Sequence, residues 1–132
     1  MFDEQVRSEL TQPKIVRLTT IQPDGYPHTV PVWFMLDGDD IIIFTGSQSR
    51  KVKNALDNKK GNIAFGGDPV GSPCFTIVGD IEVEPDPKHL LTAKITYHYE
   101  TAEKAREYLK AWENDEHVIL RLKPHKIIQV GA

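Results

Sequence analysis

The feature that most constrains the fold is a series of short apolar stretches, each ended by turn residues. "KIVRLTTI" and "HTVPVWFML" flank "QPDGYP", in which Asp24 and Gly25 supply a compact hairpin turn. "DGDD" then separates the second stretch from "DDIIIFT", so the segment from Leu36 to Ile41 predicts a second hairpin. Strands joined by such short turns pair antiparallel. The first third of the chain therefore predicts a three-stranded antiparallel meander.

The remaining sequence predicts more strands and a late helical segment. "NIAFGG" and "CFTIVGDIEVE" have strand patterns, and "HVILRLKPHKIIQV" predicts either a strand pair or one bent strand broken at Pro124. "FDEQVRSEL" predicts a short amphipathic helix, and residues 88–113 predict one or two helices. Six or so mostly sequential strands indicate a mainly β (α+β) protein with an antiparallel barrel or a strongly bent sheet.

Length and composition exclude several classes of function. The 132 residues fit one domain spanning 1–132, and the formal net charge of −3 provides no broad positive surface for nucleic acid or an anionic membrane. Cys74 is the single cysteine, and the five histidines lack a zinc-binding spacing. No apolar signal core or membrane span is visible, so we expect a cytoplasmic protein with no membrane partner.

A barrel of this length leaves little room for an enclosed ligand. A binding site is therefore expected on the outer wall or between two copies of the chain. The apolar stretch from Ile41 to Thr45 is expected to be buried on both sides. This geometry predicts a homodimer with two sites at its interface.

The segment "TGSQSRKVKNAL" carries three cations where a helix start normally favours acidic residues. If a helix begins near Ser49, Arg50, Lys53 and Asn54 share one face, and Lys51 lies beside them in the first turn. The core side of this helix is predicted to carry Val52, Ala55 and Leu56, and Gly61 is predicted to end it.

A phosphate bound at this helix start would offset the unfavourable cations and accept hydrogen bonds from the free amides. Thr45 and Ser49 add hydroxyl groups beside it. The alternative is a solvated basic surface that continues into Lys59 and Lys60. The spacing alone favours neither interpretation.

Longer stretches carry a family resemblance over nearly the whole chain. "TTIQPDGYPHTVPVWFMLDGDDIIIFTGSQSRKVKNAL" contains a strand, an Asp-Gly turn, a "PHTVPVWF" strand and an "SRKVKN" segment, followed later by "FTIVGDIEVE" and "HVILRLKPHKIIQV". In these features the chain resembles the pyridoxamine 5'-phosphate oxidase-like split-barrel flavoproteins, especially the small branch that uses the deazaflavin coenzyme F420. The resemblance implies a six-stranded antiparallel split β-barrel with flanking helices.

The same resemblance implies a set of cofactor-binding residues. Those holding the cofactor phosphate would be Arg50, Lys51, Lys53 and Asn54, assisted by Thr45 and Ser49. Val32, Trp33 and Phe34 would run along the flavin or deazaflavin ring. Because Trp33 and Phe34 alternate across a strand, one is expected in the core and the other against the ring.

The implied activity is hydride transfer between coenzyme F420 and a small conjugated substrate, with the chemistry supplied by the cofactor. Lys53, Lys59 and Lys60 suit the acidic tail that distinguishes F420 from flavin mononucleotide (FMN). The alternatives are an FMN-dependent oxidoreductase of the same fold and a flavin-binding protein without catalysis. No catalytic residue is assigned, and no histidine stands in a recognisable context for haem ligation.

Overall fold

In the computed structural model, which describes residues 2–131, antiparallel strands form one curved sheet. The strands are β1 (Val16–Ile21), β2 (Pro27–Val32), β3 (Met35–Asp37), β4 (Asp40–Gly46), β5 (Lys60–Gly66), β6 (Cys74–Pro85) and β7 (His117–Val130). The helices are α1 (Glu4–Leu10), α2 (Arg50–Asp57), α3 (Leu90–Tyr99) and α4 (Ala102–Ala111), with a short 3₁₀ helix at Pro87–His89. The strand order is β2-β1-β5-β6-β7-β4-β3. The predicted antiparallel split barrel with flanking helices is confirmed, with seven strands in place of six.

The seventh strand arises because the predicted "HTVPVWFML" strand is divided. β2 ends at Val32 and β3 begins at Met35, and the two strands lie at opposite edges of the sheet. Between them the amide of Phe34 donates a hydrogen bond to the phenol oxygen of Tyr99, 3.1 Å away. The chain therefore leaves one edge of the sheet at Trp33 and Phe34 and joins the other.

β7 is one bent strand, the second of the two options that the sequence left open. It pairs with β6 over most of its length, and the pairing register shifts between Val78 and Gly79, opposite Pro124. A side chain at Gly79 would overlap the backbone carbonyl of Lys123. Glycine therefore allows the close backbone approach at which the two long strands bend.

Two apolar clusters lie on opposite faces of β4. Ile41 and Ile43 belong to the main core inside the barrel, whereas Ile42 packs outside it with Ile95 of α3 and Ile119 of β7. Burial of this strand on both faces is thereby confirmed. α3 closes the outer cluster and, with α4, places aromatic side chains outside the end of β4.

The helix α2 differs from its prediction in two respects. Val52 and Ala55 are buried as predicted, but Leu56 is 70% exposed. The buried face is centred nearer Asn54, whose amide nitrogen donates to the hydroxyl of Thr20 at 3.0 Å, and this rotation turns Leu56 outward.

Gly61 does not end this helix, which stops at Asp57 because Asn58 is extended. Gly61 lies instead within β5, where a Cβ atom would approach the carbonyl oxygen of Thr19 to 2.7 Å. The strand pairing of β5 with β1 is therefore what requires glycine at this position.

The late helical segment forms two helices, α3 and α4, and the aromatic end of α3 packs into the fold through Tyr99. Within residues 2–131, every helix is too short or too polar to cross a bilayer.

Candidate functional site

A cleft of about 470 Å³ lies on the outer wall of the barrel. One side is formed by the end of β4 and the start of α2, and the other by α4, Trp112 and the start of β7. We call this the aromatic cleft; its lining residues are Pro31, Val32, Trp33, Phe44, Thr45, Gly46, Lys51, Tyr108, Trp112 and His117. Its position on the outer wall agrees with the sequence-based expectation.

The two sides of the aromatic cleft are held together by strand pairing. Gly46, the last residue of β4, pairs with His117, the first residue of β7. The amide of Ser47 donates to the carbonyl of Glu116 at 2.9 Å. The helix start that follows β4 is thereby fixed close to His117, although the two are far apart in sequence.

The hydroxyl groups beside the helix start are brought together. The Thr45 hydroxyl donates to the Ser49 oxygen at 3.2 Å, and Ser49 is the N-cap residue of α2. Within the described residues, the Ser49 side chain makes no capping bond to the helix, and its first turn contains no acidic residue. The first amides of α2 therefore have neither of the usual side-chain partners, which suits an anionic ligand.

Lys51 is the cation that faces the aromatic cleft. Its side chain is partly buried, and this burial lowers the pKa of its ammonium group below the ordinary value of 10.5. No carboxylate is among the cleft-lining residues in the described part of the chain. A nearby anion stabilises the charged form of an ammonium group that burial has partly removed from water. An anion in the cleft would therefore balance the charge of Lys51 and raise its pKa toward the ordinary value.

The other predicted phosphate ligands lie on a different side of α2. Arg50 and Lys53 are exposed and line a second hollow with Pro23, Gln48 and Asn54. Nη1 of Arg50 lies 3.4 Å from the side-chain oxygen of Gln22. Of the three cations in "SRKVKN", Lys51 thus lines the aromatic cleft, whereas Arg50 and Lys53 lie outside the cleft.

Asn54 lines the same hollow as Arg50 and Lys53, in agreement with their helical spacing, but unlike them it is buried. It is 2% exposed, and its side chain donates to Thr20, which is also buried. Its amide forms part of the attachment of α2 to β1. Its role in holding phosphate stays a prediction.

The three residues predicted along the ring are separated by the bend between β2 and β3. Val32 and Trp33 line the aromatic cleft, whereas Phe34 is fully buried in the main core. Trp33 stacks on Tyr99 with ring centroids 4.8 Å apart. Tyr99 in turn donates its phenol proton to the carbonyl of Lys14, so the indole rests on an anchored ring.

Four further rings, which the sequence analysis did not assign to a site, also line the cleft. Tyr108 and Trp112 stack with centroids 5.2 Å apart, as expected for residues one helical turn apart. Phe44 lies 5.4 Å from Trp112 and 5.6 Å from His117 between centroids. From the sequence, only the contact between Tyr108 and Trp112 could have been predicted, from their helical spacing. Their contacts with Phe44 and His117 depend on tertiary structure.

His117 is 8% exposed and is held by a buried polar chain. Its Nδ1 lies 3.3 Å from the hydroxyl oxygen of Thr92, and that hydroxyl donates to a carboxylate oxygen of Asp86 at 2.6 Å. Burial lowers the pKa of His117, as does the neighbouring His89. The imidazole is therefore neutral near pH 7.

His89 is placed against His117 by unusual backbone geometry. Lys88 and His89 both have positive φ, 59° and 55°. Such conformations cost non-glycine residues about 1–3 kcal/mol each and are concentrated at functional sites. They bring the His89 ring to 4.5 Å from that of His117, and Nε2 of His89 donates to the carbonyl of Asp115 at 2.8 Å.

Comparison with known proteins identifies the family. A family model described as pyridoxamine 5'-phosphate oxidase matches residues 2–131. The chain belongs to this family. No curated protein matches the sequence significantly.

Solved structures with the family's fold carry several different names. One named F420 reductase is 22% identical, with a TM-score of 0.75 over 96% of this chain and 98% of that one. General stress protein 26 from Bacillus anthracis is 18% identical, with a TM-score of 0.72 over 96% and 92%. A heme binding protein from Mycobacterium smegmatis is 18% identical, with a TM-score of 0.64 over 92% and 50%. At these identities the similarity shows the shared fold alone.

Proposed function

We propose that the chain is an oxidoreductase that binds coenzyme F420 in the aromatic cleft and transfers a hydride between it and a small conjugated substrate. The observation that carries this proposal is Lys51, a partly buried cation at the junction between the aromatic rings and the start of α2. A planar ring bearing an anionic side chain matches that combination. The structure named F420 reductase, which shares the fold, adds support at the level of the family.

Different residues would bind different parts of the cofactor. Lys51 and the free amides of α2 would hold a phosphate, with Thr45 and Ser49 beside them. Val32 and Trp33 would lie along the ring. When bound, coenzyme F420 supplies the hydride chemistry, whereas the aromatic walls position the ring and exclude water from it.

The exposed cations outside the cleft favour F420 over FMN. FMN ends at one phosphate, whereas the tail of F420 continues as a phosphodiester to an acidic chain. Arg50 and Lys53 extend the basic surface beyond Lys51 and are open to solvent. Each such exposed contact contributes at most about 1 kcal/mol, so the preference depends on several of them together.

Calorimetric titration of purified protein with F420 and with FMN tests the proposal. We expect F420 to bind more tightly than FMN, with an advantage that shrinks as salt rises because the tail contacts are exposed and screened. The purified protein should not carry a stoichiometric yellow flavin. A tight yellow complex without detectable F420 binding would instead make the chain an FMN-dependent protein of the same fold.

Homodimerisation is part of the same proposal. Two apolar side chains of β7, Ile128 and Val130, are exposed where this strand pairs with Thr76 and Cys74 of β6. Such side chains suit contact with a second copy. Size-exclusion chromatography with light scattering should give twice the monomer mass; a monomer at micromolar concentration that binds F420 fully would contradict the dimer.

A further inference from the structure

We propose that Nε2 of His117 is a hydrogen-bond acceptor in the aromatic cleft, and that it recognises a ligand through an N–H or O–H group. Thr92 and Asp86 act as positioning residues that fix which ring nitrogen of His117 carries the proton. This inference rests on the proposed function, because it concerns the same cleft. It adds a contact that neither the basic segment nor the aromatic walls supply.

The hydrogen-bond chain determines the tautomer. The hydroxyl of Thr92 has one proton, and the carboxylate of Asp86, 2.6 Å away, accepts it. The Thr92 oxygen can then only accept from Nδ1 of His117, which lies 3.3 Å from it. In a neutral imidazole with a protonated Nδ1, Nε2 carries a lone pair.

Asp86 is itself held firmly enough to enforce this arrangement. It is 5% exposed, and its two oxygens also accept from the amides of Leu91 and Thr92 at the start of α3. A carboxylate fixed by backbone amides has little freedom to turn away. The hydrogen bonds that hold Asp86 at the start of α3 therefore determine that Nδ1 of His117 carries the proton.

The surroundings of His117 leave Nε2 as the polar atom offered to a ligand. The titratable or charged groups around the ring are His89, Asp115 and Asp86, and Lys51 also lines the cleft. His89 uses its own Nε2 on the carbonyl of Asp115. The Phe44 ring stacks on His117 with an interplanar angle of 17°, and both residues line the cleft.

A conjugated heterocycle with a ring N–H, or a substrate with a phenolic or enolic O–H, has the chemistry to donate to this nitrogen. Such a donor lying among Trp33, Phe44 and Trp112 would be shielded from water. A hydrogen bond in these surroundings discriminates against analogues that lack the donor, because Nε2 would then remain unpaired.

Nitrogen-15 NMR of the histidine side chains tests the tautomer in the intact protein. At pH 7.5 we expect His117 to be neutral with its proton on Nδ1, and Thr92→Val to abolish that preference. Titration with F420 should then shift the Nε2 resonance of the wild type toward that of a hydrogen-bonded nitrogen. A proton on Nε2 in the free wild-type protein would overturn the proposal.

Affinity measurements complete the test. His117→Phe keeps an aromatic ring beside Phe44 and removes the acceptor, and we expect F420 to bind about 3- to 10-fold more weakly. His125→Gln, an exposed histidine on β7, is the matched control and should bind as the wild type does. Equal affinity of His117→Phe and the wild type would overturn the assigned contact. Lack of F420 binding by the wild type would instead overturn the proposed function, and the tautomer of the free protein would still decide the state of His117.

Discussion

One side of the aromatic cleft is lined by Thr45, Gly46 and Lys51 from a single short segment of the chain, whereas the other combines Tyr108 and Trp112 with His117 from β7. The first side contains a hydroxyl residue and the partly buried cation Lys51, and it resembles an anion site at a helix start. The second contains aromatic rings and a neutral imidazole. The contrast suggests that one side binds the charged part of a ligand and the other its ring.

The largest expected effect belongs to the charged side. Lys51→Ala should weaken F420 binding by about 1.5–3 kcal/mol, the scale of a hydrogen bond to a charged group. Lys60→Ala removes an exposed cation outside the cleft and should change the affinity far less. Calorimetric titrations of both variants would measure the difference. Equal losses would mean that the segment acts as a diffuse basic surface.

The neighbouring residue Asn54 tests whether α2 has separate binding and structural faces. Asn54→Ala should lower the free energy of unfolding by about 1–3 kcal/mol, because Thr20 loses its buried partner. F420 affinity of the folded variant should stay close to that of the wild type. Lys53→Ala, one residue away and exposed, serves as the matched control in urea unfolding. A stable Asn54→Ala variant with lost affinity would support the phosphate-binding role implied by the family resemblance.

The aromatic side is expected to contribute less to affinity than Lys51 does. Trp112→Leu removes a ring that packs on Tyr108 and Phe44, and it should weaken F420 binding by about 0.5–1.5 kcal/mol. Tyr97→Leu changes an exposed aromatic residue of α3 outside the cleft and is the control. If Trp112→Leu cost as much as Lys51→Ala, ring contacts rather than charge would dominate binding.

The smallest effect is a pH dependence of stability on the aromatic side. The folded pKa of His117 is lowered by burial, so the unfolded chain takes up a proton first as pH falls. The stability contributed by neutral His117 is therefore present above the unfolded pKa of about 6.5 and decreases as pH falls below it. Melting temperatures between pH 8 and 5 should fall less steeply in His117→Phe than in wild type. Parallel curves would show that His117 titrates normally.

The same contrast explains which features of the fold and of the site could be predicted from the sequence. Hairpin turns and apolar alternation are local, so the meander, the long strands and the buried faces of β4 were predictable. Residues 45–51 were predictable as a candidate site because their chemistry is concentrated in one turn. The division of the "HTVPVWFML" stretch was not, because it depends on a hydrogen bond between Phe34 and the distant Tyr99.

Asn54 and His117 show which features of the site could not be predicted from the sequence. Helical spacing grouped Asn54 with the cations, and it does line their hollow, but its burial and its hydrogen bond to Thr20 on another strand had no signal in the sequence. His117 carried no local signal, since its polar partners come from Thr92 and Asp86 and its place in the cleft from pairing with Gly46. Long-range packing determines where such side chains lie, and the patterns of a single sequence contain little information about that packing.

The most direct test of the account uses tryptophan fluorescence, because the chain has two tryptophans and both Trp33 and Trp112 line the aromatic cleft. If the conjugated ring of F420 binds there, titration should quench most of the tryptophan emission and saturate at one F420 per chain. Lys51→Ala should require about 10- to 150-fold more F420 to reach the same quenching. Saturable F420 binding by calorimetry with unchanged tryptophan emission would place the cofactor elsewhere and contradict the assignment of this cleft.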